Sequence, residues 1–528
     1  MSSPFAGVSD AWTLIPTTSG GFAAMSARAR ADKLAAYDAT TILEAASTVL
    51  ADIESDRFDV IAARLPARDR HTIVQWRQRT NADGLKAAPT PVHPLALLAA
   101  TTLALGQSRP GARSDAIRDE VAARLTEVGL RFNTDIVEGP DRGPDSALAL
   151  SSRSALWRVI EQEDWMIWSG DLVDSFAVAP EAKPVVDAFR QQAGLSIEEW
   201  WYRGLGERAT RAAHGARSWG GAEVDSRVDA AWRALSITKL DEAVTVAREA
   251  LTRARRTDPV EVSDPFDLGW LATRPVVETL DGRRFQLWLG ANNRSLLPAA
   301  IAQTVADVTH TRYDAVAELL GHAAERLLNV ELDALPSIAG ELRFAESTMP
   351  ATRSKCDYLY DIEHTLVGIE FTMITPTRAL TAGSTDAVER LITRIAAKVA
   401  QIYSSFDWRD PEHGKRWLPL VVFASPTVVD PLLNERVHER LIADGVVAPN
   451  AASEVMTCHA PELLDLVEHG RSTGRSVAAL VQEWRDGPRR GSLLDWWLSD
   501  HGALRGSGRK RIRRIGERAE ALLAKPES

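Results

Sequence analysis

Cysteine is nearly missing from this chain. Cys356 and Cys458 are the only two in 528 residues, which excludes a disulfide framework and any zinc site built on cysteine. A membrane-length apolar run is missing too: the longest, Pro94 to Gly106, is too short to cross a bilayer. Met1 to Gly21 has neither the basic start nor the apolar core of a secretion signal, so the expectation is a cytoplasmic protein without membrane association. There is no basic excess. A net charge of −10 argues against a protein that coats nucleic acid and confines any phosphate contact to local patches. The first half carries no internal repeat, Gly-rich phosphate loop, Cys/His constellation or nucleophile elbow. His322, His364 and His459 are scattered and read as structural or surface residues.

What is present is a globular composition, 45% hydrophobic and 25% charged, at a length that calls for two or three domains. Residues 1–258 read as helical and Trp-rich, a partner-binding or regulatory region. Asp115 to Phe132 shows the spacing of one apolar face (Ile117, Val121, Leu125, Val128), and Ser236 to Arg256 reads as a last amphipathic helix. Trp157, Trp165, Trp168, Trp200, Trp201, Trp219 and Trp232 read as core anchors, since an indole gains most by packing.

Composition shifts after Asp258. Residues 259–485 alternate strands and helices and predict an α/β domain with a mixed central sheet, making the whole chain α+β. Its first hairpin is expected around Asp281-Gly282, and later strands at Leu418–Phe423 and Ser453–Thr457. Residues 486–528 form a basic helical tail: Arg505, Arg509, Lys510, Arg511, Arg513, Arg514 and Arg518 stand against Glu517, a run that could follow a phosphate backbone as well as be solvated.

The chemistry concentrates between Thr311 and Phe406, read as helix, hairpin, helix. Period-2 alternation puts Val367, Ile369, Phe371 and Met373 on one face of a strand and Leu366, Gly368, Glu370 and Thr372 on the other. In the preceding strand Asp357, Leu359 and Asp361 share a face, so Asp357 or Asp361 comes beside Glu370. Asp361 could equally only start the turn. A carboxylate among apolar neighbours needs a partner. Two together repel unless a proton or a metal lies between them, and hard oxygen ligands suit Mg²⁺ or Mn²⁺.

Asp357, the apolar run into Glu370, and the upstream Gly321-x-x-x-Glu325 helix together resemble the PD-(D/E)xK, restriction-endonuclease-like nuclease superfamily, over roughly residues 274–466. The resemblance implies metal ligands Glu325, Asp357 and Glu370, a divalent cofactor, a nucleic-acid substrate (DNA first), and a restriction or phage-defence setting. The many Ala-Arg pairs fit a GC-rich bacterial source. Thr372 stands where the family usually has Lys, and Thr has no charge to stabilise a developing phosphorane. Lys398 and Lys355 are the candidates for the displaced cation. Arg378, in the loop after the strand, and Arg509, Lys510, Arg511, Arg513 and Arg514 are the candidate nucleic-acid contacts. Gln401 and Tyr403 lie where some branches keep such a pair, but two residues apart on a helix they do not share a face. The alternative implied by Thr372 is a nuclease fold without catalysis, acting as a binding or scaffolding subunit, with the helical half engaging a protein partner.

Overall fold

The computed structural model describes residues 25–35, 37–54, 57–82, 91–111, 113–137, 163–214, 226–257, 271, 274, 276–287, 295–335, 339–350, 355–374, 380, 385–449, 453–487, 494, 497–498, 513–519 and 521. Among them the protein is mixed α+β with helices predominating, and no helix is long and apolar enough to cross a membrane. The chain divides into two compact units. One comprises Met1–Trp157 and Glu207–Ser295, the other Arg158–Gly206 and Leu296–Ser528.

In the first unit the helix Pro94–Gly106 is apolar all round and accordingly buried almost throughout. His93 caps it, Nδ1 accepting from the Leu95 amide at 3.1 Å. A small sheet orders β1 (Ile237–Lys239), β2 (Val276–Glu278) and β3 (Arg284–Gln286), with β1 parallel to β2 and β2 antiparallel to β3. The Asp281-Gly282 turn is there, Gly282 taking the left-handed φ of +79°. Two expectations are corrected. Ile237-Thr238-Lys239 is a strand, so the last amphipathic helix starts at Leu240. The Asp281 hairpin pairs with that strand rather than with the larger sheet.

The second unit holds a five-stranded sheet in the order β4 (Glu341–Ala345), β5 (Tyr358–Ile362), β6 (Thr365–Thr372), β7 (Arg416–Phe423), β8 (Met456–His459). β4, β5 and β6 run antiparallel. β6, β7 and β8 run parallel. The connections dictate this. Glu363-His364 closes a tight hairpin, whereas the helices Thr385–Arg409 and Pro431–Ala443 are the crossovers that parallel neighbours require. All eight residues of β6 are buried, as expected of a central strand covered on both faces. On one face lies Thr385–Arg409. On the other, Asp333 of the helix Tyr313–Asp333 accepts from the Tyr358 hydroxyl at 2.8 Å.

Several tryptophans of residues 158–206 join this unit as core anchors. Trp168 Nε1 donates to the Ala424 carbonyl and Trp201 Nε1 to the Leu296 carbonyl, both at 2.9 Å, and Trp165 sets its ring edge-on to His459. Trp200 is buried here too, as Trp232 is in the first unit. Trp157 and Trp219 lie outside the described residues.

Candidate metal centre

Strand register brings the acids together. β4 and β5 pair Ala345 with Tyr358, and the Glu346 amide donates to the Asp357 carbonyl at 3.0 Å. β5 and β6 pair Tyr358 with Ile369, and Asp357 Oδ2 accepts from the Phe371 amide at 2.6 Å. Extended by one residue, these registers align Glu346, Asp357 and Glu370 as a row across three strands. Directly opposed residues share a face, so the three carboxylates emerge on one side. From the helix Tyr313–Asp333, Glu325 reaches the same place. Glu325, Glu346 and Asp357 each offer a carboxylate oxygen, all within 4.8 Å of one another. Oxygens about 3–4 Å apart can share a Mg²⁺ at its usual bond length of about 2.1 Å, so this spacing needs only slight contraction.

Lys398 brings the cation. Its Nζ lies 2.7 Å from Glu370 Oε1. The helix reaches so close because β6 has Gly368 beneath it: a Cβ there would lie 2.3 Å from Ile402 Cγ2 and 2.9 Å from Phe406 Cε1. Lys398, Ile402 and Phe406 recur every four residues, a rise of about 6 Å. Alternate residues of the strand advance by a similar step, so one helix stripe lies along Gly368 and Glu370. Lys355, the other candidate, donates to the Glu346 carbonyl oxygen at 3.1 Å and pairs with no carboxylate among the described residues. The same helix fixes the start of β5. Gln401 Nε2 donates to the Lys355 carbonyl at 2.7 Å and Ser405 Oγ accepts from the Cys356 amide at 2.8 Å.

Electrostatics follow from this crowding. Burial, then the charges of Glu370 and Glu325, push the Asp357 carboxyl well above the usual range. Burial also raises Glu370, against the opposing pull of Lys398. Glu325 is raised by burial and by Glu346. Glu370 is 1% exposed, and its Oε2 has no hydrogen-bond partner among the described residues. A buried carboxylate oxygen left unsatisfied is costly. The charges of Glu325 and Glu346 add to that cost, and Glu325, Glu346 and Asp357 form an acidic group that could hold a metal ion. The donor set is all oxygen and fits Mg²⁺ or Mn²⁺.

Thr372 ends β6, buried, on the same face as Glu370, its carbonyl accepting from Ala424 at 2.8 Å. Asp361 does not join the site. It faces Leu366 across the hairpin and is paired with Arg409 at 2.5 Å and with Lys415. It is therefore a charged anchor at the far end of the hairpin, more than a turn starter. Tyr403 packs against Phe406 and Trp417 as core. Arg378, Arg509, Lys510 and Arg511 lie outside the described residues. Arg513 pairs with Glu517 at 2.7 Å, Arg514 with Asp171, and Arg518 with Glu198 at 3.1 Å, so these tail arginines are engaged by the protein's own acids. The residue that sequence reasoning missed is Glu346. Only the register of β4 against β5 reveals it, and no motif marks it.

Comparison with protein-family models, with curated proteins and with solved structures gave no match.

Proposed function

We propose that the protein is a Mg²⁺- or Mn²⁺-dependent nuclease that hydrolyses phosphodiester bonds of nucleic acid, DNA in the first instance, in a restriction-endonuclease-like domain. The carrying observation is the Lys398–Glu370 pair at 2.7 Å beside Asp357 and Glu325. An ammonium from the following helix stands next to the acid whose motif neighbour, Thr372, cannot supply one. The helix, hairpin, helix, strand order around a mixed sheet supports the same reading.

Asp357, Glu325 and the free oxygen of Glu370 would hold the ion. When bound, it would polarise the scissile phosphate and acidify a water. The Phe371 amide fixes one Asp357 oxygen and so orients the other. Lys398 offsets charge that builds on the phosphoryl oxygens, a contribution that a neutral Thr372 cannot make. Glu370 orients Lys398, and Lys398 offsets part of the rise that burial imposes on the Glu370 carboxyl. The helical first unit would bind a partner or gate the site, in the defence setting that the resemblance implies. The test is metal-dependent cleavage of plasmid DNA, single-stranded DNA and RNA, with Glu370→Ala alongside. Cutting that needs Mg²⁺ or Mn²⁺ and vanishes in Glu370→Ala is the expected result. Metal-independent cutting, or equal cutting by the variant, overturns it.

A further inference from the structure

The nuclease reading draws its ligands from β5, β6 and the helix before them, and leaves Glu346 without a role. We infer that Glu346, at the end of the edge strand β4, is a ligand of the same divalent ion, sharing it with Glu325 and Asp357. The inference rests on the metal-site part of that reading and adds a ligand from a strand that carries none of its motif residues.

Three observations carry it. Glu346 stands opposite Asp357 in register, tied by the Glu346 amide to Asp357 carbonyl bond of 3.0 Å. The next position in the row is Glu370, so three adjacent strands each place one acid in line. Like charges directly opposed across a sheet destabilise it, and an exposed glutamate has the rotamer freedom to swing away. Instead its oxygen lies within 4.8 Å of oxygens on both Glu325 and Asp357. Second, among the described residues no lysine or arginine forms an ion pair with Glu325, Glu346 or Asp357, and burial and the neighbouring acids outweigh the pull of Lys398 on Asp357. Lys398 is held by Glu370 Oε1, and Lys355 donates to the main-chain carbonyl of Glu346. Third, an independent atom points at a ligand: Glu370, 1% exposed, has Oε2 without a hydrogen-bond partner among the described residues.

The geometry also divides labour. Glu325, Glu346 and Asp357 form a three-oxygen grip at the strand ends. Glu370, anchored by Lys398, lies outside that group of three and acts on it through its charge. Glu346 is the exposed member of the grip and Asp357 the buried one, so Glu346 is the carboxylate an incoming ion meets first.

The test is direct Mn²⁺ binding by the full chain, followed by the EPR signal of free Mn²⁺ and by calorimetry, with no nucleic acid present. Glu346→Gln should weaken Mn²⁺ affinity by about tenfold or more. Glu412→Gln, an exposed acid elsewhere, should leave it unchanged. Unfolding temperature without metal should not fall in Glu346→Gln, and the gain on adding Mn²⁺ should shrink, which separates a lost ligand from a damaged fold. Wild-type affinity in Glu346→Gln, with affinity lost in Asp357→Asn, overturns the inference and leaves the nuclease reading standing. Weakened binding in Glu346→Gln together with a wild-type protein that cuts nothing supports the inference and sinks the nuclease. A wild-type protein that takes up no Mn²⁺ overturns both.

Discussion

Lys398 and Glu370 are 28 positions apart in sequence and 2.7 Å apart in space, joined across the packing of one helix on one strand. Glu370 is 1% exposed on its side chain and Lys398 36%. The carboxylate is therefore desolvated while the ammonium keeps contact with solvent. Lys398→Met should lower cleavage by about 10²–10³-fold, the loss typical of removing one charge-stabilising donor. Mn²⁺ binding should be retained or tightened, because a competing cation has gone. Lys398→Arg should fall between. A Lys398→Met protein that cuts at the wild-type rate would show that Lys398 is only a structural partner of Glu370.

Gly368 sets the closeness of that pair. Its absent Cβ is what lets Ile402 and Phe406 lie against the strand, and Phe406 is fully buried, with no room to retreat. Gly368→Ala should cost about 1–3 kcal/mol by overpacking and should also reduce cleavage, because lifting the helix parts Lys398 from Glu370. Urea unfolding together with the cleavage assay reads both. Loss of stability with full activity would uncouple the packing from the site.

Much of this centre was legible in the sequence. Alternation gives the face carrying Glu370 and apolar context marks Asp357, whereas Glu325 and Lys398 come from the resemblance, through its Gly321-x-x-x-Glu325 helix and its missing motif lysine. These are local signals, and a hairpin with a two-residue turn converts them into neighbours with little freedom of register. Glu346 was not legible. It lies beyond a separate strand whose pairing partner follows from no short-range pattern. The fate of the Asp281 hairpin was hidden for the same reason, since Ile237-Thr238-Lys239 is too short to announce itself as a strand beside two helices. Asp361 shows the converse. On the same strand face as Asp357, it belongs to a different electrostatic cluster because register sets it opposite Leu366.

That difference makes Asp361 a control. It is 4% exposed on its side chain and holds Arg409 and Lys415. Asp361→Asn leaves two partly solvated cations facing a neutral amide, and should destabilise the protein by about 1–3 kcal/mol. Mn²⁺ affinity should be unchanged. Altered affinity would place Asp361 in the metal site after all.

Stability should depend on pH in a direction opposite to that of most carboxylates. Asp357, Glu370 and Glu325 all have folded-state pKa values raised, chiefly by burial. A raised carboxylate binds its proton more tightly in the folded protein than in the unfolded chain. Its stabilising contribution is therefore whole below the unfolded value near 4, and is lost as pH rises through the raised folded value. The metal-free protein should lose unfolding temperature between about pH 5 and pH 8.5, and Mn²⁺ should restore it, more strongly at the alkaline end where protons no longer compete for the oxygens. Glu370→Gln should flatten the metal-free profile. A metal-free profile that rises with pH would contradict the crowded-acid picture.

The strongest test of the displaced cation is to move it back. Thr372 lies two residues after Glu370 on the same strand face, so a lysine there approaches the acids from the strand instead of from the helix. Thr372→Lys in a Lys398→Met background should recover at least about tenfold of the lost cleavage. The same substitution in the wild-type background should bring no such gain, since a second ammonium would crowd the first in a buried setting. Stability should drop in both, because Thr372 is buried and the longer chain must find room. Recovery confined to the double variant would identify the ammonium, whichever element carries it, as what the site requires. Equal effects in the two backgrounds would mean that Lys398 and position 372 act independently.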